Sequence, residues 1–172
     1  MAKPQVAIIM GSDSDIDIIA EAAEVLEELG VPVEVDVKSA HRTPDETAEY
    51  VKSAAKRGLK VIIAGAGKSA HLGGVAAANT LLPVLAIPIK RPGDGDVAMK
   101  SNAEMPPGVP LAVMPTNGGK NAALFAAEIL ALNDSQLHQK LEAYRKQQHD
   151  KIVEKSRKLR KIGWRRYLDE QK

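Results

Sequence analysis

The sequence predicts an α/β fold: a three-layer αβα sandwich on a parallel sheet, followed by a C-terminal helical extension. Two observations carry that expectation. Short apolar runs of strand length alternate with longer segments of helical periodicity, and the loops between them are short, the pattern of βαβ units with right-handed crossovers. After residue 133 the apolar runs stop, and a charged stretch with helical spacing continues over residues 134–168.

Each element has a local reason. Val6 to Met10 is unbroken and apolar, so residues 5–10 read as a strand buried on both faces. Residues 14–29 place Ile16, Ile19, Ala23 and Leu26 on one helical stripe, closed by Gly30. Residues 32–37 form the second strand. Pro44–Arg57 is a helix with proline in its first turn and Gly58 after its end. Residues 60–64 are the third strand, and 71–81 are an Ala-rich helix whose small side chains let it lie close to the sheet. Residues 83–88 and 111–114 are the remaining strands, 117–132 a helix, and 134–168 a last helical stretch broken at Gly163. Residues 89–109 fit least well, with 90–96 and 105–108 reading as loops. The natural arrangement is a flavodoxin-like sheet in one α/β domain, 1–133. Residues 134–172 are its helical extension, expected to pack on a neighbouring subunit.

Composition narrows the function classes. The 172 residues are 44% hydrophobic and 27% charged, with no apolar run of about 18 residues that could span a membrane. The run from Lys3-Pro4 into a strand leaves no signal peptide to expect, which predicts a cytoplasmic protein. The absence of cysteine excludes disulfides, thiolate metal sites and a cysteine nucleophile. The net charge of +2 hides an asymmetry: residues 140–172 hold 12 Lys/Arg against 5 Asp/Glu. Acids are mixed among those bases and no nucleic-acid motif precedes them, so the tail reads as a solvated helix, with neither nucleic acid nor membrane as partner. Four scattered histidines predict no metal site, and His138 and His149 fall on the charged helix as surface residues.

Three loops at predicted strand ends look suited to one ligand, because open α/β sheets bind at the carboxyl edge of their strands. In Gly11-Ser12-Asp13-Ser14-Asp15, two hydroxyls and a helix N-terminus suit a phosphate. Asp15 would repel a phosphate and is better placed to accept from ribose hydroxyls; Ser and Asp are also ordinary N-caps. In Ser39-Ala40-His41-Arg42-Thr43-Pro44, His41 can move a proton near neutrality and Arg42 can grip a phosphate by two parallel hydrogen bonds. The third loop, Ala64-Gly65-Ala66-Gly67-Lys68-Ser69-Ala70-His71, lets backbone approach a ligand closely. Its glycine spacing fits neither a P-loop nor a dinucleotide fingerprint. His71 is either a packing residue at a helix start or a second group in the site.

These three motifs, with Met105-Pro106-Pro107-Gly108-Val109-Pro110, together resemble the N5-carboxyaminoimidazole ribonucleotide mutases, the PurE-type enzymes of purine biosynthesis. The likeness covers residues 4–133, and the order and spacing of four motifs make it specific. It implies an octamer with active sites at subunit contacts. It also implies that the carboxylate of N5-carboxyaminoimidazole ribonucleotide migrates from the exocyclic nitrogen to a ring carbon without metal, nucleotide or organic cofactor. Carried over by motif, Ser12, Asp15 and Arg42 would hold the ribose phosphate end and His41 would be the general acid/base. Ser39, Gly67, Ser69 and His71 would line the pocket around the aminoimidazole, with small residues such as Gly67 and Ala70 leaving room for carbon dioxide.

Two departures qualify the resemblance. Lys68 stands where the mutases have a second glycine; a basic residue followed by serine is similar to the related aminoimidazole ribonucleotide carboxylases, and here it could attract bicarbonate or pin a carboxylate. Residues 90–104 also differ from the loop that covers the site in the mutases. Against this, His41-Arg42-Thr43-Pro44 and Ala70-His71-Leu72 follow the mutase branch, since the carboxylases tend to have lysine after the catalytic histidine. The mutase is therefore the first expectation. A direct carboxylase or a non-catalytic mononucleotide-binding relative stands as the alternative.

Overall fold

The computed structural model describes residues 3–171; Met1, Ala2 and Lys172, which the sequence reading placed at the two ends of the domain and its extension, lie outside the described residues. Five parallel strands run β1 Val6–Met10, β2 Val33–Val37, β3 Val61–Gly67, β4 Val84–Ile89 and β5 Ala112–Val113. Their spatial order is β2-β1-β3-β4-β5, the flavodoxin-like order that the alternation of elements implies. The helices are α1 Ile16–Glu28, α2 Pro44–Arg57, α3 Leu72–Ala78, α4 Val97–Ala103, α5 Gly119–Ala131, α6 Ser135–Ile162 and α7 Trp164–Asp169.

The pleat of the central strands sorts the core into two layers. Val6, Ile8 and Met10 of β1, Val61 and Ile63 of β3, and Leu85, Ile87 and Ile89 of β4 face α1 and α5. Ala7, Ile9, Ile62, Ala64 and Val84 face α2 and α3. Both faces are covered, which is why these strands read as continuous apolar runs. Burial of each large aliphatic side chain there is worth about 1.5–3 kcal/mol.

Glycines set how closely the helices approach. A Cβ at Gly119 would stand 2.4 Å from the Ile18 carbonyl oxygen, so only glycine lets α5 start against α1. A Cβ at Gly73 would meet Ala86 at 2.9 Å, which is how α3 lies close to the sheet as its small side chains led one to expect.

Four expectations need correction. Helix α1 starts at Ile16 after a 3₁₀ turn over Asp13–Asp15, and its buried stripe is Ile18, Ile19, Ala22 and Leu26, while Ile16 is exposed and Ala23 only partly buried. Helix α3 stops at Ala78 rather than 81. Residues 97–103, read as part of an irregular segment, form α4, with Ala98 and Asn102 buried. Strand β3 runs on to Gly67, which carries its end into the site.

The extension is anchored through its first third, up to Arg145, whose Nη2 donates to Glu128 Oε1 of α5 at 2.6 Å. Asp134 caps α6 by accepting from the N–H groups of Gln136 and Leu137. Leu137 and Leu141 are buried in the α1/α5 layer, and Lys140 Nζ donates to the Leu29 carbonyl at 2.6 Å. Beyond that, α6 is exposed, and it breaks at Gly163 (φ +78) where the sequence placed the break. No helix among the described residues is long and apolar enough to cross a membrane.

Candidate active site

The chain reverses direction across the sheet between β1 and β3, and the carboxyl ends of these strands open into a crevice there. The loops after β1, β2, β3 and β4 enclose a cavity of about 500 Å³. All nine residues singled out from sequence line it: Ser12, Asp15, Ser39, His41, Arg42, Gly67, Lys68, Ser69 and His71. Ala70 does not; it is fully buried, so the small residues that leave room in the cavity are Ala66 and Gly67.

After β1 the chain turns at Gly11, and extended Ser12 caps the 3₁₀ turn. The Ser12 hydroxyl accepts from the Ser14 backbone N–H at 3.4 Å and from the Ser14 hydroxyl at 3.0 Å. Asp15 follows with only 8% of its surface exposed. Burial pushes its carboxyl above the usual carboxylate range, and the Arg91 guanidinium, 3.5 Å away, pulls against that rise.

The loop after β2 is held by its own side chains. Ser39 N–H donates to Thr43 Oγ1, while the hydroxyls of Thr43 and Thr47 donate back to the Ser39 carbonyl, each at 3.2 Å. Arg42 is fixed at both ends of its head group: Nε donates to Ser39 Oγ at 3.3 Å and Nη2 to the Gly11 carbonyl at 2.7 Å. That second bond ties the β2 loop to the β1 loop, so that Arg42 and Ser12 line the same cavity. A charge-assisted bond of this kind is worth about 1.5–3 kcal/mol.

His41 stands on the other side. Its Nε2 lies 2.8 Å from Nδ1 of His71, and the two rings meet edge to face with centroids 4.9 Å apart. One of these nitrogens must carry a proton and the other must accept it, so the pair shares a single proton across the contact. His71 thus lines the cavity against His41 as well as standing at the start of α3. The pairing joins loops thirty residues apart, and nothing in either motif alone signals it.

Lys68 occupies left-handed backbone, φ +54, which explains why glycine suits that position. Its side chain is 86% exposed and its Nζ lies 3.7 Å from Asp94 across the rim.

The cavity residues from the loop after β4 escaped the sequence reading, Arg91 above all. Arg91 reaches from the loop after β4 to α1, where Nη1 and Nη2 fork onto the two carboxylate oxygens of Asp17 at 2.8 and 2.7 Å. Nη2 also donates to the Ser14 carbonyl at 2.6 Å. The fork holds the Asp17 carboxyl down to about 2. The available signal was Pro92-Gly93, since proline then glycine at φ +89 is the type II turn pattern that presents the residue before them.

With that geometry in place, the comparisons become specific. The family model described as AIR carboxylase matches residues 5–151, so the likeness extends past 133 into α6. The chain is 48% identical to the N5-carboxyaminoimidazole ribonucleotide mutase of Pyrococcus horikoshii, over 98% of this chain and 96% of that protein. It is 46% identical to the phosphoribosylaminoimidazole carboxylase of Saccharomyces cerevisiae, over 98% of this chain but 30% of that one. The crystal structure of Treponema denticola PurE superposes with a TM-score of 0.83 at 30% identity, covering 91% of this chain and 98% of its own.

Proposed function

The chain belongs to the AIR carboxylase family, and from that premise we propose that it is an N5-carboxyaminoimidazole ribonucleotide mutase of purine biosynthesis. The observation that supports the reading is one cavity that gathers Ser12, Asp15 and Arg42 on one side and the paired His41 and His71 on the other, in a chain similar over its length to such a mutase.

In this reading the substrate phosphate sits against Ser12, the N–H groups of the following turn and the Arg42 guanidinium. Asp15 accepts from the ribose hydroxyls. Ser39, Gly67, Ser69 and His71 surround the aminoimidazole. His41 gives a proton to the exocyclic nitrogen as its bond to the carboxylate carbon breaks, releasing carbon dioxide. Ring C4 then attacks that carbon dioxide, and the displaced ring proton passes to His41, which closes the cycle with no net proton change. His71 fixes which His41 nitrogen carries the proton. General acid/base transfer of this kind contributes about 100- to 10,000-fold, and holding carbon dioxide beside the acceptor carbon replaces an encounter with a fixed position.

The same reading extends to assembly and place: a homo-octamer in the cytoplasm, with residues 134–172 packing on a neighbouring subunit. The exposed apolar side chains of the extension, Ile152 and Trp164 at 64% each, support it. Light scattering on the purified chain checks the octamer.

Direct carboxylation of aminoimidazole ribonucleotide is the second reading, favoured by one observation: Lys68, held left-handed at the rim, could draw bicarbonate. A paired assay separates the two. Turnover of N5-carboxyaminoimidazole ribonucleotide in carbon dioxide-free buffer is the mutase result. Turnover confined to aminoimidazole ribonucleotide with bicarbonate would make it a carboxylase.

A further inference from the structure

The Arg91 guanidinium bears on the ribose end of the cavity, although no motif points to it. Its place is fixed three ways. At its base, the Asn117 side chain pairs with residue 90 as a neighbouring strand would, Oδ1 accepting from the Lys90 N–H at 2.8 Å and Nδ2 donating to the Lys90 carbonyl at 2.9 Å. Within the turn, the Arg91 N–H donates to Asp94 Oδ2 at 3.0 Å and the Asp94 N–H donates to the Arg91 carbonyl at 3.0 Å. At its tip sit the fork on Asp17 and the bond to the Ser14 carbonyl. The guanidinium so anchored stands 3.5 Å from Asp15, whose carboxylate is buried and whose other side-chain neighbour is the Ser14 hydroxyl at 3.5 Å.

We infer that Arg91 is a positioning residue: clamped on Asp17, it holds the Asp15 carboxylate as a fixed acceptor for ribose hydroxyls and so sets the preference for ribose over deoxyribose. This rests on the proposed role of Asp15 as the ribose ligand. A carboxylate removed from water stays ionised only where a cation offsets the desolvation. Once protonated it gains a donor and loses acceptor capacity. Burial already pushes the Asp15 carboxyl up and Arg91 opposes it, while Asp17 in the first turn of α1 adds to the rise. The other charged or titratable groups lining this cavity are His41 and Arg42 after β2, Lys68 and His71 after β3, and Asp94 after β4.

The test is calorimetric binding of aminoimidazole ribonucleotide and of its 2′,3′-dideoxy counterpart to the full chain, for wild type, Arg91→Gln, Arg91→Lys and Asp17→Asn. The expected result is that Arg91→Gln raises Kd for the ribonucleotide about tenfold and leaves the dideoxy compound within twofold. Arg91→Lys should restore most of the loss, and Asp17→Asn should fall between. Equal weakening toward both ligands, or no change toward either, overturns the inference. A carbon-13 titration of the Asp15 carboxyl, assigned with Asp15→Asn, gives a readout independent of ligand. Its midpoint should rise in Arg91→Gln and return in Arg91→Lys, and an unmoved midpoint also overturns the inference. A wild type that binds and discriminates but turns over neither substrate refutes the mutase reading and leaves Arg91 in its role.

Discussion

The two ends of the cavity are built on different principles. At the end proposed for the ribose phosphate almost every polar side chain is bonded to backbone or to another fixed group. Arg42 bridges Ser39 and Gly11, Arg91 bridges Asp17 and Ser14, and Ser12 is tied to its own turn. At the other end two exposed histidines, among the described residues, hold only each other in the cavity, beside glycine and alanine. Interlocked charges give a preorganised binding surface that has little freedom to move. A pair of imidazoles sharing one proton gives a group that changes protonation with little rearrangement. On the proposed reading one end holds the substrate and the other reacts, and substitutions at the two ends should therefore separate in kinetics.

The largest effect belongs to the reactive end. Replacing His41 with Asn should lower kcat by about 100- to 10,000-fold and leave ligand Kd within a few-fold, read from steady-state turnover beside calorimetry. Loss of affinity in step with turnover would erase the distinction between the ends. Arg42→Ala should do the reverse. Removing a charge-assisted contact worth about 1.5–3 kcal/mol should raise KM about ten- to hundredfold with kcat little changed. Weaker again is Lys68→Gly at the rim. Relief of left-handed backbone should make the chain more stable by about 1 kcal/mol in urea unfolding. Unchanged kinetics would then leave Lys68 outside both ends, whereas lost bicarbonate use would place it in the reactive one.

The smallest effect is one of pH. Asp17 is held from its ordinary 3.8 down to about 2 by the Arg91 fork. A carboxyl lowered on folding contributes stability that is complete above the unfolded value and lost as pH falls through the folded one. Acid titration should therefore show a small loss between about 4 and 2 in wild type, and that part of the loss should be missing in Arg91→Gln. Because the pair is exposed, the difference should fade with added salt.

The strands were readable because both faces of the sheet are covered, and β1, β3 and β4 are apolar without a break. Helix α2 was readable to the residue because Pro44 and Gly58 (φ +104) mark its limits. What the sequence hid has physical causes. The stripe drawn through Ile16, Ile19, Ala23 and Leu26 is centred too far round α1: at about 100° per residue Ile18 and Ala22 lie beside Ile19 and Leu26 on the buried face, and Ile16 falls at its solvent edge. Helix α4 is short and buries Asn102, whose amide bonds the Ala98 carbonyl, so a polar residue occupies a core position. In the site, nine residues named from their motifs line the cavity, whereas Ala70 from the same motifs is fully buried. The His41–His71 contact and the reach of Arg91 were not legible, because each depends on two loops distant in sequence being brought together by the sheet order.

The most direct test of the central claim, that the carboxylate moves within one enclosed site, follows its carbon. N5-Carboxyaminoimidazole ribonucleotide labelled with carbon-13 in the carboxylate would be turned over in buffer equilibrated with unlabelled carbon dioxide, and the product carboxylate assayed by mass spectrometry. The account predicts that the product keeps the label. A product carrying the unlabelled carbon of the buffer would mean that the cavity does not hold what it releases, and would contradict the account.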